Sequence, residues 1–473
     1  MKIKLLAAAC LALGASSSFA ATTLACDTSS AVSRVNTCAP EAKLYIAGSS
    51  ALGAALSTVV PADMFDTSVL PIVAVRDTGS TNGTTGANAV TAWYGMSKAA
   101  LTGGTSKRLF VVYNNNNGSA AGVSQLLAKL DGSITEADVV TIGPVKGVAG
   151  VCTATSGSTT SVDCASHALT AADVAISDTS APELYKLYAS AKAKLTTLVN
   201  TPLALQGFGV AVNDNLYRAL QVRNVAEGLL PSTCVAGDAT AACQPSIRSA
   251  DYASLVTKQG SIKTAAALLG DSADTTVLTL ARRDDLSGTQ ASSNIFFADN
   301  SCGNNHDAKG KLIAGVLGGQ LDIISTTDST PALVVQSNVT TGTVKSALAS
   351  TTGYAIGVLT LNTTPTAPGK FVKIDGVSPN FNADGTADAN QRNAMISGNY
   401  PFAMTSFAVT QVKPAKTSVA VTNPAVIPAL IAGMKDSSLH NLKGIGYLDG
   451  GSDATKESLV HRTNGNNCSP LIK

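Results

Sequence analysis

Aromatic side chains are scarce in this sequence. They make up 4% of 473 residues, and Trp93 is the single tryptophan, so a site that stacks sugar rings on aromatic faces has little to be built from. An excess of one charge is missing too. With 33 Lys and Arg against 31 Asp and Glu, the formal net charge is +2, too little to recruit nucleic acid or an anionic membrane by field alone. Four histidines, His167, His306, His440 and His461, are scattered without any CxxC or HxxxH spacing, which argues against a resident metal. Neither a GxSxG motif nor a carboxylate–histidine cluster is found. The usual starting points for nucleophilic or metal-assisted hydrolysis are therefore absent, and the expectation is no enzyme and no cofactor. After the first twenty residues no run approaches the ~20 apolar residues of a membrane span, so a soluble chain is expected.

What is present begins with an export signal. Lys2 and Lys4 precede an apolar core from Leu5 to Leu13, and Ser18-Phe19-Ala20 forms a small-x-small cleavage site. Residues 1–20 are expected to be removed and the mature chain to start at Ala21, in the periplasm or outside the cell. Cys10 is read as an incidental member of the signal core. Of nine cysteines, the other eight lie in the exported part, which favours disulfides over metal ligation. Their spacing suggests Cys26 with Cys38, Cys152 with Cys164 and Cys234 with Cys243, leaving Cys302 and Cys468 for a long-range bridge. Sequence alone does not fix this connectivity.

With 45% hydrophobic residues the chain can bury one or two substantial cores, and a globular protein of two or three domains is expected. Strand-like apolar runs appear at 43–47, 108–113, 173–177, 207–213, 277–281, 354–361 and 406–412. Helical patterns lie between them. In "GVSQLLAKL", Val123, Leu126, Leu127 and Leu130 make one apolar stripe. Further helices are expected over Pro182–Leu198, Ile262–Leu269, Val344–Ala349 and Pro424–Met434. Such alternation predicts an α/β protein with mainly parallel sheets, whose ligands bind beyond the carboxyl ends of the strands.

Four strand-to-helix junctions share one chemistry. "AGSSALGAA" places Ser49 and Ser50 at a helix start, and "GSAAGVSQL" repeats this with Ser119. "DVAISD" ends a strand on Asp178, and "RRDDLSGTQASSNIFF" sets Arg283, Asp285, Ser287, Gly288 and Thr289 before a helix. Helix starts carry unpaired N–H donors and partial positive charge, and so hold anions without a basic surface. Each residue also has a plainer reading: Arg283 with Asp285 as a surface ion pair, and Asp178 and the serines as helix caps.

Taken in order, these segments resemble the periplasmic phosphate-binding proteins of ABC transporters, over roughly residues 43–412. "GYAIGVLTL", "KIDGVSPNF" and "SGNYPFAM" are also similar to that family's glycine-rich strand and crossing segment. The resemblance implies a two-lobed class II periplasmic-binding-protein-like fold. One lobe would span 21–211 with 400–473 and the other 212–399, with two interlobe crossings near "GFGVAVN" and "YPFAMTSFAVT". It implies a monomer that binds phosphate or a similar oxyanion in an interlobe cleft, for an ABC permease. Arg283 would grip the anion, Asp285 would orient Arg283, and Ser287, Gly288 and Thr289 would add donors. Ser49, Ser50 and Ser119 would supply hydroxyls from the other lobe, and Asp178 would accept a proton-bearing oxygen, selecting hydrogen phosphate over sulfate. The Cys302–Cys468 bridge would then link the lobes. Two positions depart from the family pattern: Ala120 replaces a second serine, and Ala51 replaces a bulky residue. Ser/Thr/Gly-rich inserts occupy 78–88 and 153–162. The alternative is an exported partner-binding protein with a degenerate anion site on the same scaffold.

Overall fold

The computed structural model describes residues 26, 30–78, 90–115, 118–127, 139–142, 152–165, 167–184, 187, 194–300, 302, 321–350, 352–414, 416, 418–436, 441–448 and 455–472. The expected signal, and positions 79–88 of the first insert, lie outside them. Twelve strands form the backbone of one large sheet: β1 (Ala42–Gly48), β2 (Val73–Asp77), β3 (Val90–Met96), β4 (Arg108–Asn114), β5 (Thr153–Ala154), β6 (Ser161–Cys164), β7 (Val174–Ser177), β8 (Leu198–Val212), β9 (Leu278–Arg283), β10 (Leu333–Asn338), β11 (Tyr354–Thr360) and β12 (Ala403–Gln411). Their spatial order is β10-β9-β11-β8-β12-β7-β1-β4-β3-β2-β6-β5.

Two parallel nuclei sit within this order. In the first half β1 runs parallel to both β4 and β7. In the second, β9 runs parallel to both β10 and β11. The strand β8 joins them: Leu198–Gly207 pairs antiparallel with β12, and Phe208–Val212 pairs antiparallel with β11. Its register slips between Pro202 and Ala204, where proline removes a ladder donor. Because β8 and β12 serve both halves, the carboxyl ends of β1, β7 and β9 are brought to one region.

Among the helices are α1 (Gly53–Val59), α2 (Gly118–Leu127), α3 (Asp214–Ala226), α4 (Gly288–Ala298), α5 (Thr341–Ser350) and α6 (Val426–Lys435). A large apolar core built around Phe208, Leu280, Ile356 and Phe402 fills the second half. In the first half, Leu44, Leu56, Val111 and Leu430 anchor another. Phe296, Phe297, Phe402, Phe208 and Tyr252 stack on one another with ring centroids 4.4–5.4 Å apart, so the few aromatics concentrate where the crossing strands enter the second half.

The seven expected strands are all present, and the helices at 344–349 and 424–434 appear as α5 and α6. Ile262–Leu269 shrinks to Ala266–Leu269. Of the helix expected over Pro182–Leu198, positions 185, 186 and 188–193 lie outside the described residues; before them Ala181–Glu183 makes a 3₁₀ turn, and after them Leu198 opens β8. Of the stripe expected on α2, Val123, Leu126 and Leu127 are buried and Leu130 lies outside the described residues; every other residue from Gly118 to Leu127 is buried as well. This helix lies inside the protein, and Gly122 makes that possible, because a Cβ there would come 2.5 Å from the Cα of Gly48. The insert at 153–162 forms the sheet edge, with β6 pairing β2 and β5 pairing β6.

All four expected disulfides are formed: Cys26–Cys38, Cys152–Cys164, Cys234–Cys243 and Cys302–Cys468. The last ties the end of α4 to a C-terminal segment that straddles the molecule. Val460 packs in the second-half core, while Asn467 Nδ2 donates to Glu183 Oε2 at 2.9 Å and to Thr405 O at 3.0 Å. Among the described residues no helix is long and apolar enough to cross a membrane.

Candidate functional site

Three strand ends build the site. After β1 the chain turns at Gly48, whose φ of +124° and close approach to the Ile176 carbonyl admit only glycine. This turn aims Ser49 inward. Its hydroxyl donates to Asp178 Oδ1 and accepts from Ala51 N at 3.1 Å. Tyr113 holds the Ser49 carbonyl through its hydroxyl. At the end of β7 Asp178 is buried, with its own N–H donating to Ser119 Oγ at 3.2 Å. The capping role open to Asp178 falls instead to Ser180, whose box with Glu183 closes the following turn.

The third strand end comes from the other half. Ser287 caps α4, accepting from Gln290 N. Thr289 in the first turn donates to Asp178 Oδ2 at 3.3 Å. Two more bonds cross the same junction: Ala120 N donates to Leu286 O at 3.0 Å, and Asn362 Nδ2 donates to Ala51 O. Apolar packing follows them, with Ala291 of α4 buried among Ala47, Ala120, Ala175 and Phe407. Gly288 is the tightest point. A Cβ there would lie 2.8 Å from Asp178 Oδ2 and closer still to Ser119 Oγ. The two halves are thus in van der Waals contact at the place where the sequence puts its anion donors.

Arg283 is 5% exposed, and each face of its guanidinium is already engaged. Nη2 donates to Val339 O at 2.8 Å, Nε to Asn338 O at 3.2 Å, and Nη1 to Thr341 Oγ1 at 3.1 Å. Asp285 does not orient it. That carboxylate pairs with Arg282 at 2.5 Å, because successive residues at the end of a strand face opposite ways. Asp284, to which no motif assigned a role, is the carboxylate that acts on Arg283. It accepts from Leu286 N at 3.1 Å, and its charge and that of Asp178 oppose the lowering that burial imposes on the guanidinium. An Asx turn, aspartate bonded to the N–H two residues on, was the available signal.

Burial dominates the electrostatics. It pushes the Asp178 carboxyl above the ordinary range, against the Ser49 hydrogen bond, the Arg283 charge and the Thr289 hydrogen bond, which pull the other way. Asp284 is raised by burial as well. Asp178 accepts from both Ser49 and Thr289, so it suits a guest that brings a donor of its own.

Of the nine sequence-predicted binding residues, Ser49, Ser119, Asp178, Gly288 and Thr289 are brought together, and Ser287 supports them as a cap. Arg283 is near enough for its charge to act on Asp178. Ser50 opens a 3₁₀ turn and is exposed, and Asp285 faces away on Arg282. Tyr113, Thr341 and Asn362 complete the arrangement unannounced by any motif. Among the described residues no group of three or more His, Cys, Asp or Glu is placed to hold a metal.

No known family model matches this chain, and no curated protein matches it by sequence. It is similar in structure to several solved proteins. One from Clostridium perfringens, assigned as a phosphate ABC transporter substrate-binding protein and solved with bound phosphate, is 12% identical with a TM-score of 0.40, covering 85% of this chain and 99% of that one. An ABC-type phosphate transport receptor from Vibrio cholerae is 12% identical with a TM-score of 0.36, covering 84% and 95%. PstS from Borrelia burgdorferi is 12% identical with a TM-score of 0.34, covering 84% and 94%. Superpositions this loose assign no residue a role.

Proposed function

We propose that this chain is an exported solute-binding protein that takes phosphate, or a similar oxyanion still carrying a proton, between two lobes, and that it serves an ABC-type permease. The lobes are residues 21–211 with 400–473, and 212–399. The observation that carries this reading is the hydrogen bond from Thr289 Oγ1 to Asp178 Oδ2. A hydroxyl at a helix start in one half meets a buried carboxylate in the other, with a buried arginine in electrostatic reach. A protonated oxyanion would replace that contact, donating to Asp178 and accepting from Ser49, Ser119, Thr289 and the free N–H groups of α4. The halves must part for it to enter and close for both donor sets to act, so binding would favour the closed state. No bond is made or broken.

A second reading has its own support. Arg283 already donates to protein acceptors, and Gly288 occupies the gap between Asp178 and Ser119. On that reading the site latches the halves together and an outer surface binds a partner. Thermal-shift titration of the exported chain with phosphate, sulfate and arsenate separates the two. An anion at ~100 times its dissociation constant should stabilise by about 2.7 kcal/mol, with phosphate above sulfate. No response to any of the three would abandon anion binding and leave the latch.

A further inference from the structure

Two segments that the junction does not use, "KIDGVSPNF" (373–381) and "SGNYPFAM" (397–404), line an open cavity of about 720 Å³ on the far face of the second half. A smaller cavity of about 400 Å³ adjoins it, and the two share Lys373 and Gly376. Lys373 is half-buried on the short strand Lys373–Ile374, which pairs parallel with Ser246–Ile247. Among the described residues its ammonium has neither an ion pair nor a hydrogen-bond acceptor, whereas Arg248 and Glu227, which line the same groove, are paired with Asp251 and Arg223. Burial pushes the Lys373 ammonium below the ordinary lysine range. An uncompensated, partly desolvated cation is costly unless something supplies the counter-charge.

The walls around Lys373 are fixed before any ligand arrives. One is the turn Ala241–Cys243, closed by the Cys234–Cys243 disulfide. Another is the loop 378–387, where Asn382 Nδ2 donates to Thr386 Oγ1 at 2.9 Å and Gly385 N to Asn382 O at 3.0 Å. Gln244 ties these walls together, donating to Phe371 O at 3.0 Å and Asn380 Oδ1 at 2.9 Å, while its buried Oε1 has no donor. From the third wall, Asn393 Nδ2 reaches Asn382 Oδ1 at 2.8 Å. Asn393, Asn399 and Phe381 line the cavity, and the one carboxylate among its lining residues, Asp384, is exposed and accepts from Thr386. Rigid walls reduce the ordering cost of binding, and the volume suits a ligand of one or two sugar rings.

We propose that this groove is a second binding site, for an acidic sugar: its carboxylate on Lys373, its hydroxyls on the amides of Asn393 and Asn399, and one ring face against Phe381, the single aromatic among the cavity's lining residues. The three wall chemistries match the three parts of such a molecule. Neutral sugars would leave Lys373 unpaired, and a bare inorganic anion would leave the amides and Phe381 without a partner. This site is independent of the junction and of the anion reading given for it.

Calorimetric titration of the exported chain with glucuronate, glucose and inorganic phosphate tests it. Saturable binding of glucuronate is expected, with glucose weaker by about tenfold or more. Lys373→Gln should weaken glucuronate by a similar factor, about tenfold, and Lys373→Arg should retain it. Asn399→Asp, an exposed change that leaves Lys373 in place, should also weaken glucuronate and spare glucose, which guards against a Lys373→Gln variant that fails to fold. Any phosphate response of the junction should persist in Lys373→Gln. The proposal is overturned if glucuronate does not bind, if glucose binds as well, or if neither Lys373→Gln nor Asn399→Asp changes the affinity.

Discussion

The junction between the halves and the groove around Lys373 are opposites in almost every respect. At the junction, small residues let two helices and three strand ends pack in contact, and each charged group is buried with protein partners. In the groove, disulfide and turn hydrogen bonds hold walls apart and leave a cation and several amides facing open space. A residue's chemistry therefore marks where polarity matters, while the packing around it decides whether that polarity is directed at the protein or outward. The serines and Asp178 proved to bond one another, while Arg283 bonds two backbone carbonyls and Thr341. Lys373, to which the sequence assigned no binding role, has no ion pair among the described residues.

The junction is the more sensitive of the two regions. Arg283→Ala should have the largest effect, since it strips the donor from the buried Asn338 carbonyl and from that of Val339 and removes the cation that offsets Asp178 and Asp284. A loss of roughly 3 kcal/mol is expected in urea unfolding, together with loss of any phosphate response. Gly288→Ala comes next. The added methyl collides with Asp178 and Ser119, so about 1–3 kcal/mol should be lost, and small-angle scattering should report a more open molecule. An unchanged stability in both variants would show that the halves do not pack as described.

Asp178→Asn should act in a different direction. Burial raises the Asp178 carboxyl, so the folded state holds its proton more tightly than the unfolded chain does. The stability this contributes is complete below the ordinary carboxylate range, about pH 4, and is lost as pH rises through the folded value. The asparagine variant removes this dependence. Its stability relative to wild type should therefore improve as pH rises, while phosphate binding disappears; paired unfolding curves at several pH values measure it. The smallest effect belongs to the groove. Lys373→Gln should change stability by less than about 0.5 kcal/mol, since no ion pair is broken, and a larger loss would mean that Lys373 has a structural partner.

Much of the fold was legible because the expected strands are short apolar runs that read the same in any context. The strands of the large sheet that escaped notice, β2, β3, β5, β6 and β10, lie towards its two edges; β10, at one end of it, alternates buried and exposed residues over the first part of Leu333–Asn338. The helix α3 was hidden because two members of its buried face, Gln221 and Asn224, are polar. They are buried because Gln221 donates to Asp238 O and Cys243 O, and Asn224 accepts from Ser246 N.

Local periodicity and residue type were enough to set the alternating α/β pattern, the eight cysteines after position 20 in pairable spacing, and the cluster of hydroxyl and charged residues at strand ends. Long-range packing alone settled that Asp285 serves Arg282 rather than Arg283, that Ser49 points in where Ser50 points out, that α2 is enclosed on all sides, and that Gly288 closes the distance between the halves. Those outcomes depend on which way each side chain leaves a strand end and on how closely backbones approach. Neither quantity is carried by any one stretch of chain, because each is set by segments far apart in sequence.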